Sequence, residues 1–208
     1  MTHILILRFS SMGDVAMTVP VLRCLIKKYP NSKITIVSKA IYKPIFREFE
    51  NIKFFKVDFK FKYKGLRGLF SLFNDLKNLR PTHVADLHSV LRTDVLYGLF
   101  KMAFFKIKRV DKQRRDRKKL FRSKNKIFKP LTPVQFRYSE VFNRLGFNID
   151  LTTHIFPDPF NIGEEIQKKI NGLSNNVKWI GVAPFASYNG KIYPLDLMQK
   201  VVSFLQRN

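Results

Sequence analysis

The sequence predicts an α/β fold: a parallel sheet with helices on both faces, followed by the first strand and helix of a second α/β unit. Three observations carry this. Short apolar runs alternate with longer amphipathic stretches along most of the chain, the order that builds parallel sheets. The run Ile4 to Leu7 breaks at Ser10-Ser11-Met12-Gly13 and resumes as an apolar helix near Val15. Downstream, Trp179-Ile-Gly-Val-Ala-Pro184 opens another strand after a polar, proline-containing stretch.

In chain order, strands are expected at Ile4–Arg8, Lys33–Val37, Lys53–Phe59, His83–Leu87, Lys106–Val110 and Trp179–Ala183. Helices fit Val15–Lys28, Ile41–Phe49, Gly68–Leu79, Val90–Met102, Pro133–Leu145, Ile162–Ile170 and Leu195–Gln206. Pro30-Asn31 and Arg80-Pro81 act as stops between helix and strand. From Phe55 to Lys64 apolar and charged residues alternate, the period of a strand with one wet face near a sheet edge. Aromatic residues interleaved with lysines also suit stacking on nucleic-acid bases, a weaker fit to the same pattern. Around Pro157-Asp-Pro159 the chain leaves its first domain. The expected division is residues 1–159 and residues 160–208.

Composition narrows the setting. The 208 residues are 45% hydrophobic, enough for a packed core. A single cysteine, Cys24, excludes an intrachain disulfide framework and fits a small buried apolar residue in the first helix. The chain opens Met-Thr-His directly into Ile4, so no leader is expected. The apolar run Val95 to Phe105 contains Lys101 and is too short to span a bilayer. A soluble, cytoplasmic protein is expected, and its charge is compatible with peripheral attachment to a membrane surface. That charge is +24, from 39 Lys and Arg against 15 Asp and Glu, which implies an anionic partner. Residues 112–129 hold ten Lys or Arg and one acid, Asp116, and read as an exposed loop. It either gathers an anionic partner or serves solubility alone.

The turn after the first strand carries the chemistry. A parallel strand feeding a helix through a glycine-containing turn lies at the carboxyl edge of the sheet, where open α/β folds bind ligands. Asp14 stands at the start of that helix. A carboxylate there is a candidate general base, or Asp14 and Ser11 simply cap the helix. Asp86, His88 and Arg92 follow the middle strand toward the same edge, and Arg92 suits contact with an anionic ligand. His88 fits an ordinary turn residue.

Arg8-Phe-Ser-Ser-Met-Gly-Asp-Val15, followed by Thr18-Val-Pro20, resembles the amino-terminal signature of the heptosyltransferases, glycosyltransferase family 9. Val84-Ala-Asp-Leu-His-Ser-Val-Leu-Arg92 is similar to the family's middle strand and turn. Gly181-Val-Ala-Pro-Phe-Ala-Ser-Tyr-Asn-Gly-Lys-Ile-Tyr-Pro194 is similar to its downstream strand, small-residue turn, lysine, aromatic residue and proline. Three matches in order are more specific than any one alone.

The resemblance implies the GT-B architecture of two Rossmann-like domains across a cleft, acceptor on the first and nucleotide-sugar on the second. It implies inverting transfer of a heptose from an ADP-linked donor to a lipopolysaccharide core acceptor. Asp14 then matches the base, and Ser10, Ser11 and Gly13 fall with it on the acceptor side alongside Arg92. Lys191 matches a contact to the donor phosphates, and Ser187 a hydroxyl on the same turn. No cofactor is implied. No metal is expected either, since His3, His83, His88 and His154 lack zinc-like spacing and no Asp-x-Asp pair occurs. Family members carry a further donor-binding section, so the chain is expected to be truncated within the donor domain. The competing expectation is a non-enzymatic basic module that binds an anionic membrane surface or, less well supported, nucleic acid.

Overall fold

The computed structural model describes residues 2–154, 156–157, 163–170, 180–186 and 188–207. They fall in two compact units, Met1–Pro157 and Asp158–Asn208. The first unit is built on five parallel strands, β1 (His3–Leu7), β2 (Lys33–Lys39), β3 (Ile52–Val57), β4 (His83–Asp86) and β5 (Lys106–Arg109), in the order β3-β2-β1-β4-β5. Leu7 lies opposite Val37 on one side and Asp86 on the other. The chain therefore winds outward from β1 to β3, then returns to place β4 against the free side of β1. At that reversal the loops leaving β1 and β4 diverge and open a crevice at the carboxyl edge, the usual ligand site of such sheets.

All five residues of β1 are buried, which is why its sequence is a continuous apolar run instead of an alternating one. On one face Ile4, Ile6, Ile34 and Ile36 pack with α2 (Val19–Lys28) and α6 (Val134–Arg144) through Val21, Leu25, Val141 and Phe142. On the other, Leu5, Leu7, Val84 and Ile107 pack with α3 (Gly65–Asn78) and α4 (Leu91–Met102) through Leu72, Leu76, Leu96 and Phe100.

Several local details depart from the sequence expectations. The first helix is two: α1 (Met12–Ala16) and α2. Pro20 has no N–H to offer the carbonyl of Ala16, and Thr18 donates its hydroxyl to the Val15 carbonyl at 2.6 Å, closing α1. The stretch Ala40–Phe46 is a 3-10 helix with Pro44 inside it. β3 is an edge strand but ends at Val57, not Phe59. There Asp58 accepts from the backbone N–H groups of Lys60 and Phe61, at 2.8 and 3.2 Å, and its side chain turns the chain before the alternation runs out. Within the basic segment Arg114–Leu120 forms a helix, α5, with no buried residue. Arginine, lysine and leucine are good helix formers, and their charge kept them from the core without keeping them from a helix.

The second unit contributes α7 (Glu164–Ile170) and α8 (Leu195–Arg207). The strand expected at 179–183 is not formed over residues 180–183, and Trp179 lies outside the described residues. Among the described residues no strand pairs with this segment, and Ile180 and Val182 are exposed, so nothing satisfies an extended ladder there.

Two glycines in helices predict opposite outcomes. A Cβ on Gly68 in α3 would stand 2.2 Å from the backbone carbonyl carbon of Tyr63, whereas a Cβ on Gly98 in α4 meets nothing within 4 Å. Gly68→Ala is expected to destabilise by about 1–3 kcal/mol through overpacking against backbone. Gly98→Ala is expected to stabilise by up to about 1 kcal/mol, the gain in helix propensity. Urea unfolding of both variants checks the pair, and equal effects would contradict the packing described around α3.

Candidate active site at the carboxyl edge of the sheet

The site is organised by Arg8, the residue that follows β1. Its backbone N–H donates to Val37 at 3.1 Å and its carbonyl accepts from the Ser38 hydroxyl at 2.6 Å, fixing the strand end against β2. Its side chain is buried and crosses to the β4 side, where Nη1 donates to the Leu87 carbonyl at 2.7 Å. Nη2 forms an ion pair with Oδ2 of Asp14. The guanidinium carbon lies 5.8 Å from the centre of the Tyr138 ring of α6.

Asp14 sits in the first turn of α1, and its side chain is 41% exposed. Oδ2 also accepts the hydroxyl of Ser11 at 3.0 Å. Ser11 occupies the N-cap position yet makes no side-chain capping bond, its hydroxyl going to Asp14 instead. Asp14 is an acidic residue of the first turn, where the helix dipole favours a carboxylate. The carboxylate is paired and aimed by Arg8 and Ser11 while remaining open to solvent.

A cavity of about 180 Å³ opens beside it, lined by Arg8, Asp14, Val110, Lys112, Arg117, Val134, Arg137 and Tyr138. Four cations surround one carboxylate. Burial, then the charges of Arg8 and Arg114, hold the Lys112 ammonium below the usual lysine range. Burial also raises the Tyr138 phenol to about 12, so its hydroxyl stays a donor and approaches the Asp14 carbonyl at 3.4 Å. An anion entering this cavity would relieve repulsion among the cations, and a hydroxyl beside Asp14 would find a proton acceptor.

The loop leaving β4 supports the same edge. Asp86 is buried, and its Oδ1 accepts from the N–H groups of His88 and Ser89 at 2.9 Å each, which forms the turn. Burial raises its carboxyl above the usual range. His88 packs edge-on against Phe9, with centroids 5.4 Å apart, and its Nε2 is 3.4 Å from the Ser10 hydroxyl. Burial, then the charge of Arg8, pushes its imidazole down to about 3.

Of the residues singled out from sequence, Ser10, Ser11 and Asp14 gather at this edge, with Gly13 in the intervening turn of α1. Arg92 is exposed, stacked 5.0 Å from the centre of the Phe59 ring, and does not line the Asp14 cavity. Lys191 lies in the second unit, in a short 3-10 helix, with its ammonium 4.9 Å from the Tyr188 ring centre. Ser187 lies outside the described residues. Arg137 and Tyr138 were not foreseen, and Lys112 and Arg117 were expected only as part of the exposed basic segment. They come from segments more than a hundred positions after Arg8, and only the fold brings them to it. Arg8 itself carried a signal: a charged residue placed directly after a fully apolar strand.

No protein-family model matches the chain, and no curated protein does. Solved structures do. A glycosyl transferase family 9 protein from Veillonella parvula DSM 2008 superposes with a TM-score of 0.71 at 21% identity, covering 99% of this chain and 60% of that one. E. coli heptosyltransferase WaaC with ADP gives 0.56 at 16% identity, over 98% and 64%. E. coli ADP-heptose lps heptosyltransferase II gives 0.53 at 16% identity, over 98% and 62%. The likeness shows the fold, an α/β parallel sheet of the GT-B kind. The chain spans less than two thirds of the length of each of these proteins.

His88 makes stability depend on acid. Its folded value of about 3 lies below the ordinary 6.5, so between those values the unfolded chain binds a proton that the folded chain refuses. Its contribution to stability is present above 6.5 and is lost as pH falls toward 3. His88→Gln is therefore expected to lose less stability than the parent when acidified through that window. Denaturant midpoints at neutral and acid pH measure the difference. An unchanged acid response would show that His88 titrates normally in the fold.

Proposed function

We propose that this chain is the acceptor domain, with the start of the donor-binding domain, of a glycosyltransferase of family 9 acting as a heptosyltransferase. The whole enzyme would transfer a sugar, heptose, from a nucleotide-diphosphate donor to an anionic lipopolysaccharide core acceptor, with inversion and without a metal. The observation that carries this is the Arg8–Asp14 pair at the β1/β4 reversal, opening on a cavity ringed by cations. A fold shared over nearly the full chain with known glycosyltransferases supports it, as do the ordered motifs around Asp14, Asp86 and Lys191.

In this reading Asp14 removes the proton of an acceptor hydroxyl as its oxygen attacks the anomeric carbon. The bond from that carbon to the diphosphate breaks on the opposite face, and its electron pair leaves with the diphosphate, which inverts the centre. Arg8 and Ser11 both engage Oδ2, fixing the orientation of the carboxylate. Lys112, Arg117 and Arg137 hold the negative groups of the acceptor, and their multiple donors suit phosphate and carboxylate oxygens. Ser10 and Gly13 shape the same turn, and Arg92 extends the cationic edge. On the second unit, Lys191 is assigned to the donor diphosphate, with Ser187 beside it in sequence. An ADP-linked donor is the form consistent with the ligand named for WaaC.

Asp14→Asn, assayed with the donor-binding portion present, is expected to slow transfer by about a hundredfold or more, the usual contribution of a positioned base. The amide oxygen can still accept from Arg8 and Ser11, but the buried guanidinium loses its counter-charge, so melting temperature should fall while the chain still folds and donor affinity holds. Full turnover in this variant would remove Asp14 from the reaction. Lys112→Ala should instead raise KM for the acceptor with kcat little changed, separating binding from proton transfer.

A further inference from the structure

The chain leaves the sheet after β5 and rejoins the packed core at α6. Between them, residues 112–129 hold ten Lys or Arg and one acid, Asp116. The excursion is drawn together at its neck. The Gln113 amide donates to the Thr132 hydroxyl at 3.1 Å, and its carbonyl accepts from the Thr132 N–H at 3.0 Å. Arg114 donates to the Ser89 carbonyl at 3.1 Å and ties the base to the β4 exit turn. Lys112 and Arg117 line the Asp14 cavity. Farther out, Phe121, Ile127 and Phe128 are 77%, 50% and 84% exposed, interleaved with Arg122, Lys124, Lys126 and Lys129.

The cations alone suit any polyanion. The apolar side chains discriminate. Water gives three large apolar groups nothing, and nucleic acid, whose bases can stack on Phe121 and Phe128, offers no apolar phase for Ile127. A bilayer interface accepts both: cations sit at the lipid phosphates while apolar side chains enter the headgroup and acyl boundary. We propose that residues 112–129 are a docking surface for an anionic lipid bilayer, held by Lys and Arg at the phosphates and anchored by Phe121, Ile127 and Phe128. Docking there brings the Asp14 cavity, at the neck of the same excursion, to the bilayer surface. The proposal requires no sugar transfer, so it stands or fails separately from the transferase reading.

The test is co-sedimentation of this chain with vesicles of phosphatidylcholine alone and of phosphatidylcholine mixed with phosphatidylglycerol. Binding is expected only to the mixed vesicles, weakening as salt rises. Replacing Lys124, Lys126 and Lys129 together by Ala should weaken it by about a hundredfold, at about fivefold per cation. Replacing Phe121, Ile127 and Phe128 by Ser, with every cation retained, should weaken it by about tenfold or more. A matched triple of exposed lysines elsewhere, Lys27, Lys28 and Lys77 to Ala, should cost much less. All six positions of the excursion lie outside the core, and circular dichroism checks that the variants stay folded. Three results would overturn the proposal: no binding to the mixed vesicles at low salt, binding indifferent to the Ser variant, or tighter binding to duplex DNA than to the vesicles.

Discussion

A buried guanidinium must be surrounded by partners, and the geometry of this edge follows from how Arg8 finds them. Leaving such a charge unpaired in the interior costs several kcal/mol, on the order of 3–5 when one partner of a buried pair is removed. Arg8 draws on the loop after β4 through Leu87, on α1 through Asp14 and on α6 through the Tyr138 ring. The end of β1, the loop after β4, α1 and α6 are thereby held to one point. The arrangement also explains why Asp14 faces the crevice. Its carboxylate answers a charge beneath it, and Ser11 donates to the same oxygen instead of capping the helix.

The electrostatics around that pair have a direction. His88 is kept neutral by burial and by Arg8, so it adds no charge to a site already crowded with cations. Lys112 is pressed downward by burial and by Arg8 and Arg114. Burial and like charge raise the cost of keeping the cations around the cavity charged, a condition that favours a negative group beside them. The sheet order places it at the reversal between β1 and β4, where the two loops diverge.

How much of this was legible in the sequence depended on whether the deciding interactions were local. The five strands of the first unit were: the central ones, buried on both faces, leave apolar runs such as Ile4 to Leu7, and the half-exposed edges leave alternating ones. Boundaries failed where a single side chain intervened. Pro20 divided a helix that periodicity made continuous, and Asp58 ended a strand that alternation extended to Phe59. The basic segment could be seen to be exposed, yet not to contain α5. At the site, Asp14 and the serines were visible because turn chemistry is local. That Lys112, Arg117, Arg137 and Tyr138 meet Arg8 was invisible, because only the packing of α6 and the excursion brings them there. Lys191 was read from a motif, and its part in donor binding rests on that resemblance.

The central claim is that the cationic cavity beside Asp14 receives an anionic sugar acceptor. Its most direct test is an amide chemical-shift titration of the isotopically labelled chain with a phosphorylated core sugar at moderate salt. Saturable shifts are expected at Arg8–Asp14, at Leu87–Ser89 and around Lys112, all abolished by Arg137→Ala together with Lys112→Ala. Shifts confined to Phe121–Lys129, or absent from the β1 and β4 exits, would contradict it.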